Sequence, residues 1–379
     1  MNSSVFNMAA ATGASSNTTA TNNTSEMPVN PNAEFEYYVR IIVPPIYGII
    51  SLLGLFGNTL VIIVVLFNKN MRNTTNLLIL SLAVADLLFI LICVPSTAIK
   101  YALPRWPFGE IWCKLQAYLV YVCCLASMYT LVLMSLDRYL AVVHAIRSMQ
   151  WRTERNTTIA IAIAWVIILC ANINQLLTNT VFEYPDHYNP GQWKSSCIDT
   201  FTTQMDDDVD VTDNQRILYG SFFIFGYLVP LSFTMILYGL MLKRLLYGVA
   251  PGGRNQSAES IRTKKKVTRM VIIVVVIFAT CWMPIQIIFM VTAFGTYPQT
   301  VSSTVIMMAA QCFAYMNSCV NPILYAFLSD NFRRSFRKVL CCSDTTRRGD
   351  YDRSNVRFTA CETETKNTSL SNNKALAAV

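Results

Sequence analysis

The chain has 379 residues, of which 53% are hydrophobic and only 14% charged, against roughly 25% charged in an average soluble chain. Its net charge of +8 sits in loops and tails between long apolar stretches, which points to anionic lipid and a cytosolic protein partner, with no nucleic acid. The two histidines, His144 and His187, make no metal-ligand spacing, and neither a phosphate-cradling glycine loop nor a nucleophile elbow is present, so an enzyme is not expected.

Residues 1–40 are rich in Asn, Ser and Thr and lack an apolar h-region; they read as a disordered outer tail without a cleavable signal peptide. Asn2, Asn17, Asn22 and Asn23 begin Asn-x-Ser/Thr triplets and are candidate glycosylation sites. The same triplet recurs at Asn73, Asn156, Asn255 and Asn367, so composition alone also produces it. Seven stretches then reach membrane length, at 41–67, 77–99, 111–136, 157–177, 217–242, 267–294 and 301–328. Backbone polar groups cannot stay unpaired in lipid, so these are expected to be helices. The expected fold is an all-α membrane protein, a seven-helix bundle over 41–342 with a short amphipathic surface helix after the last span and a disordered cytoplasmic tail over 343–379. The halves show no internal repeat, which weighs against many transporters.

Charges beside the spans set the orientation. Lys243, Arg244, Arg254, Arg262, Lys264, Lys265, Lys266 and Arg269 stand against the single acid Glu259 in one loop, which is therefore cytoplasmic. Lys69 and Arg72, then Arg147, Arg152 and Arg155, then Arg333, Arg334, Arg337 and Lys338 agree. The N-terminus is expected outside and the C-terminus inside, in the plasma membrane. The outer loop before the fifth span is the reverse: Glu183, Asp186, Asp199, Asp206, Asp207, Asp208, Asp210 and Asp213 outnumber Lys194 and Arg216. It is either a solvated, self-repelling linker or an electrostatic funnel for a cationic ligand.

Of twelve cysteines, Cys113 and Cys197 are the two at outer helix ends or in outer loops, and an oxidising exterior should join them. Cys93, Cys123, Cys124, Cys170, Cys281, Cys312 and Cys319 lie within spans as small packing residues. Cys341 and Cys342 follow the stretch 330–340, whose Phe332, Phe336, Val339 and Leu340 recur at helical spacing. Palmitoylation of one or both would anchor that helix to lipid; plain thiols are the alternative.

Asp86 lies mid-span, where an ionisable group is costly and points to function. Asn58, Ser127, Asn317, Ser318 and Asn321 are expected to converge on it, an oxygen-rich set suited to an allosteric sodium ion, with a hydrogen-bonded structural carboxyl as the alternative. No other cofactor is required. Pro95, Pro230, Pro284 and Pro322 should kink their helices, and Pro284 follows Trp282 closely enough to link indole rotation to helix swing. Helical phase points Gln116, Val120, Tyr121, Gln175, Gln286, Phe289, Gln311 and Tyr315 into one cavity, a mixed aromatic and amide lining.

Three motifs complete the pattern: Asp137-Arg138-Tyr139 at the inner end of the third span, Cys281-Trp282-Met283-Pro284 in the sixth and Asn321-Pro322-Ile323-Leu324-Tyr325 in the seventh. With Gly57-Asn58, Leu82-Ala83-Val84-Ala85-Asp86, Trp165 and Pro230, the chain resembles rhodopsin-like G-protein-coupled receptors over 41–342. Tyr101-Ala102-Leu103-Pro104 with Trp106, Ser127 to Ser135, Met134 to His144 and Arg152-Thr153-Glu154-Arg155-Asn156 are similar to the galanin and allatostatin-A branch of peptide receptors. The resemblance implies an amidated neuropeptide as ligand, an inhibitory-type heterotrimeric G protein as partner and an arrestin-like protein after tail phosphorylation. It also implies that Asp137 holds Arg138 at rest, that Tyr238 and Tyr325 support the active state, and that Trp282 senses the occupied cavity. Lys264 stands where some relatives carry an acid that locks this arginine. The last span has no lysine for a retinal Schiff base, and Val120 stands where amine receptors place an aspartate. Another peptide or a lipid mediator is the alternative ligand, and a channel or transporter the remote alternative.

Overall fold

The structure, a computed structural model, describes residues 31–68, 71, 73–186, 191–203, 212–247, 258–298 and 300–340. Helix α1 is Pro31–Phe67 and α2 is Thr74–Leu88, continued through a π-helical turn Phe89–Cys93 into Val94–Ala102. Helix α3 is Gly109–Val143 and α4 is Glu154–Ala171, followed by a helical turn Asn174–Thr178. An antiparallel hairpin of β1 (Asn179–Pro185) and β2 (Trp193–Asp199) leads to α5, built from Thr212–Phe223, a π-helical turn Ile224–Leu228 and Val229–Tyr247. Helices α6 (Ala258–Phe294), α7 (Val301–Leu328) and α8 (Asp330–Leu340) follow, and a short 3-10 turn, Arg147–Gln150, lies between α3 and α4.

Every expected span but the fourth lies within one of these helices, and several helices run past it. The largest correction is at the start: α1 begins at Pro31, so residues 31–40 of the expected disordered tail are helical. There Arg40 pairs with Glu36 one turn away at 3.3 Å. The sequons at Asn2, Asn17, Asn22 and Asn23 lie outside the described residues. A second correction is the fourth span, where the helix stops at Ala171 and Asn172 turns its amide back onto Ile168 O at 2.7 Å. Among the described residues, 6 helices are apolar and long enough to cross a membrane by length and composition; α7 falls short of that measure. The reason is polar content, since Gln311, Asn317, Ser318 and Asn321 on α7 are all buried against the other helices.

Caps explain several helix starts. Asn73, Thr153 and Thr300 accept from the backbone N–H three residues on, at 3.0, 3.2 and 3.2 Å, each satisfying a donor that a helix start leaves unpaired. The expected kinks at Pro95 and Pro230 are absorbed by the π-helical turns just before them. A proline removes one N–H and crowds the carbonyl four residues back, and a widened turn relieves both. Pro284 and Pro322 lie inside continuous α6 and α7. Pro44 and Pro45 inside α1 belong to the same class and were not among the expected kinks.

Helix α3 packs on α2, α4, α5 and α6 and carries the longest run of buried residues. Trp165 fastens α4 to it indirectly: its Nε1 donates to Ser81 Oγ on α2 at 3.1 Å, and that hydroxyl lies 3.3 Å from Thr130 Oγ1 on α3. On the other side α1 approaches α7 so closely that a Cβ on Gly57 would sit 2.9 Å from Pro322 Cβ. The chain divides into two compact units at Phe332 and Arg333, and α8 crosses that boundary. In the first unit Tyr325 stacks on Phe332, with ring centroids 5.5 Å apart. The described part of the second unit is Arg333–Leu340, a helical segment bearing Arg333, Arg334, Arg337 and Lys338. Cys341 and Cys342, the candidate palmitoylation sites, lie outside the described residues.

Candidate functional site

The two strands were not expected from the sequence, although signals were available. Thr180, Val181, Phe182 and Tyr184 are β-branched or aromatic, and Asn189-Pro190-Gly191 spells a turn. The Cys113–Cys197 disulfide fixes this hairpin to the start of α3, as the positions of those cysteines required. Further bonds hold it flat. Trp106 N donates to Ser195 O at 3.0 Å and Ser195 N to Pro104 O at 3.2 Å, extending the ladder into the loop after α2. Glu110 on α3 accepts from Val181 N at 2.8 Å and Thr180 Oγ1 at 3.1 Å. Lys194 pairs with Glu36 of α1 at 3.0 Å and with Asp186 at 3.2 Å. Burial, reinforced by the Glu36 and Asp186 carboxylates, raises the Tyr184 phenol above its ordinary range and keeps it neutral.

Beneath the hairpin lies a cavity of about 30 Å³, which Gln116, Val120, Tyr121, Gln175, Gln311 and Tyr315 line together with Asn179, Cys197 and Asp199. That volume leaves room for little more than water. Tyr101 donates to Gln311 Oε1 at 2.8 Å, and the Thr97 and Tyr315 hydroxyls lie 3.2 Å apart. Two residues expected here are elsewhere. Phe289 stacks on Tyr219 with centroids 4.9 Å apart and meets Phe222 edge-on at 6.1 Å, so it wedges α6 against α5. Gln286 is buried without lining this cavity, its Oε1 lacking a hydrogen bond.

The acidic outer segment is also less uniform than its composition implied. Asp186 is paired with Lys194, and Asp213 with Arg216 at 3.0 Å, so these acids are locally balanced. Asp199, buried and on the cavity wall, accepts from Phe201 N at 3.0 Å and Thr202 Oγ1 at 3.3 Å. Asp206, Asp207, Asp208 and Asp210 lie outside the described residues.

Midway along the bundle Asp86 is fully buried. Ser127 Oγ donates to one carboxylate oxygen at 3.0 Å and Asn321 Nδ2 to the other at 2.8 Å, and Ser318 contributes a further hydrogen bond. Asn58 does not join them. Its amide donates to Gly54 O and Ser318 O, each at 2.9 Å, which ties α1 to α7 instead. Asn317 is buried nearby in sequence. Above this layer Trp282 stacks on Phe278 at 5.9 Å, its Nε1 buried without a hydrogen-bond partner.

At the far end of α3 Arg138 pairs with Asp137 at 3.3 Å. Sequence reasoning missed a second cation: Arg152 Nε lies 2.8 Å from Asp137 Oδ1 and its Nη2 3.3 Å from Oδ2. Thr75 Oγ1 of α2 donates to the same carboxylate at 3.0 Å. Arg152 had been read only as part of the basic inner loop; nothing local in sequence marks a pairing across fifteen positions. Tyr238 on α5 lies 3.3 Å from Ser135 Oγ, while the Tyr325 hydroxyl is buried and unbonded. The base of α6, including Lys264, is helical.

These positions can be set beside known proteins. The family model described as 7 transmembrane receptor (rhodopsin family) matches residues 57–325. An allatostatin-A receptor from Bombyx mori is 50% identical over 308 residues, covering 81% of this chain and 81% of that protein. The galanin-like G-protein coupled receptor npr-9 of Caenorhabditis elegans is 40% identical over 81% of this chain and 74% of its own length, and galanin receptor type 1 of Rattus norvegicus 35% identical over 84% and 87%. A bundle of this topology, a hairpin clamped by its disulfide, an Asp–Arg pair at the opposite end of the same helix and similarity of this extent make one assignment: the chain belongs to the rhodopsin family of seven-transmembrane receptors.

Proposed function

We propose that this neuropeptide receptor recognises a short peptide with an amidated, apolar C-terminus, of the allatostatin-A and galanin kind, and activates an inhibitory-type heterotrimeric G protein. The observation that carries the reading is the cavity lining, in which the amides of Gln116, Gln175, Asn179 and Gln311 alternate with Tyr121 and Tyr315 beneath the tethered hairpin. Amides donate and accept at once, so they match a terminal carboxamide, while the rings take apolar side chains. The N-terminus and hairpin face outward and Arg138 faces the cytosol, in the plasma membrane, as the distribution of Lys and Arg directs. Because the cavity is far smaller than a peptide end, ligand entry requires the walls on α2, α3 and α7 to part, and the energy for that comes from the ligand's preference for the open state.

At the inner end Arg138 is the group that meets the G protein once Asp137 releases it. Tyr238 and Tyr325 support that released state; the unbonded Tyr325 hydroxyl and the neutral Ser135 partner of Tyr238 leave both free to take new bonds. Trp282 and the Pro284 segment below it transmit the change. A sodium ion fits the Asp86 layer: a carboxylate accepts about four hydrogen bonds, and Ser127, Ser318 and Asn321 supply neutral polar neighbours. Asp86, Ser127, Asn317 and Ser318 would hold the ion, which would favour the resting arrangement. An arrestin-like protein would bind the phosphorylated tail.

The test is nucleotide exchange on the G protein in membranes containing the receptor, driven by a panel of peptides, each as carboxamide and as free acid. Activation by the amidated members, with loss of adenylyl cyclase output, is expected, as is its abolition in Arg138→Ala at preserved peptide binding. Equal potency of the free acids would overturn the assigned ligand class.

A further inference from the structure

Helices α5 and α6 are pinned together along their outer halves, where Arg216 Nε donates to Ala293 O at 3.3 Å and the Tyr219 and Phe289 rings stack. Among the described residues their packing thins below the π-helical turn of α5. At the level where it thins, Tyr227 of that turn donates its hydroxyl to Ala279 O on α6 at 2.9 Å. We propose that this bond is the catch that holds the inner half of α6 in its resting position, and that Tyr129 of α3 sets it by fixing the turn on which Tyr227 rides. Both tyrosines are positioning residues for activation.

The local chemistry starts with two prolines. In the π-helical turn Val229 N–H donates five residues back, to Ile224 O. Continued by one residue, that register calls on Pro230 to serve Phe225 O, and proline has no N–H. A bare carbonyl is costly in hydrocarbon; the Tyr129 hydroxyl donates to this one at 3.0 Å. Tyr129 therefore stabilises the widened turn, and with it the direction in which Tyr227 points. On α6 Pro284 withholds the same donor from Thr280 O. Thr280 Oγ1 bonds back to Val276 O and Ile277 O, each at 3.0 Å, an arrangement that bends helices. A turn weakened in this way does not fix its own angle, whereas a bond from a neighbouring helix does. Ala279 precedes Pro284 and so belongs to the half that swings. It lies about 7.5 Å below the proline along the axis, where a change of about 20° in the kink displaces its carbonyl by about 2.6 Å. Moved sideways by that much, the oxygen is roughly 3.9 Å from the donor, beyond hydrogen-bond reach. The bond therefore belongs to one position of α6.

The experiment uses the full-length receptor in nanodiscs, with an environment-sensitive bimane on Arg269→Cys, an exposed position near the inner end of α6. Emission is read against receptor without that cysteine. With no ligand present, Tyr227→Phe, which removes the hydroxyl alone, should shift the emission. At wild-type surface expression it should also raise basal nucleotide exchange about fivefold, the ratio that one neutral hydrogen bond controls. Tyr129→Phe should do the same and in addition lower the melting temperature, since it bares Phe225 O. Because Tyr129 acts through Tyr227, the double variant should show no more exchange than Tyr227→Phe. Emission and exchange at wild-type values in Tyr227→Phe, or effects of the two substitutions that simply multiply, would overturn the proposal. A lowered melting temperature without either change would likewise reduce the tyrosines to packing. Exchange as a readout rests on the G-protein reading above, whereas the emission does not. Shifted emission with no exchange on an inhibitory-type G protein would therefore count against that partner and leave the catch as proposed.

Discussion

Arg152→Ala should make this receptor harder to activate. Asp137 is almost completely buried and is shared by two arginines, with Arg152 closer at 2.8 Å and Arg138 at 3.3 Å. If activation withdraws Arg138, the carboxylate left behind keeps a bidentate partner only because Arg152 is there. Without Arg152, withdrawal strands a buried charge, with only the Thr75 hydroxyl for company. A hydrogen bond to a charged group contributes about 1.5–3 kcal/mol, and Arg152 is mostly covered, so little is lost to solvent screening. Arg152 holds the carboxylate in the resting state as well, so only the strengthening of that contact on loss of Arg138 shifts the active-to-resting ratio. About 1.4 kcal/mol of it is tenfold. Nucleotide exchange at matched surface expression should show lower basal turnover and a reduced agonist maximum. Arg152→Lys should recover part of both, since it restores the charge without the planar two-point contact. Raised basal exchange in Arg152→Ala would refute the reasoning, because Arg152 would then be a brace of the resting state.

Asp86→Asn should abolish the dependence of agonist affinity on sodium, measured against a bulky organic cation; a persisting sodium effect would make Asp86 purely structural. Gly57→Leu should lower the melting temperature and surface yield, since even its Cβ meets Pro322 at 2.9 Å and overpacking costs about 1–3 kcal/mol; unchanged thermal stability would contradict the close approach of α1 to α7. Cys197→Ser should free a hairpin tethered across 84 residues, a loop whose closure contributes about 4.5 kcal/mol in the chain-entropy account. Faster proteolysis between Asn179 and Asp199 with weakened peptide binding is the expected readout, and retained wild-type resistance would show that the Glu110 and Ser195 contacts suffice.

Lengthy apolar runs were legible because lipid leaves the backbone no alternative to helix, and the cysteine positions were legible because only two of twelve face the oxidising side. The cavity was legible to the extent that helical phase is regular. Gln116, Val120 and Tyr121 come from α3, a helix without proline or π-helical turn, and all three line it. Gln286 and Phe289 come from α6, and neither does: Phe289 keeps the phase of Trp282, since both rings meet Phe222, but there α6 faces α5 and not the cavity. What sequence could not show was pairing between distant segments. Arg152 looked like one more cation of an inner loop, Lys194 like an isolated charge in an acidic one, and Asn58 like a partner of Asp86. Each is settled by which helix stands beside it. Asn58 illustrates the physics: an amide four residues after Gly54 can reach Gly54 O and, across the close contact that Gly57 permits, Ser318 O. Two backbone acceptors within reach outcompete a carboxylate that already has Ser127 and Asn321. The small residues therefore decide the polar network as much as the polar residues do, and a side chain added at Gly57 should disturb the Asp86 layer through Ser318 without touching it.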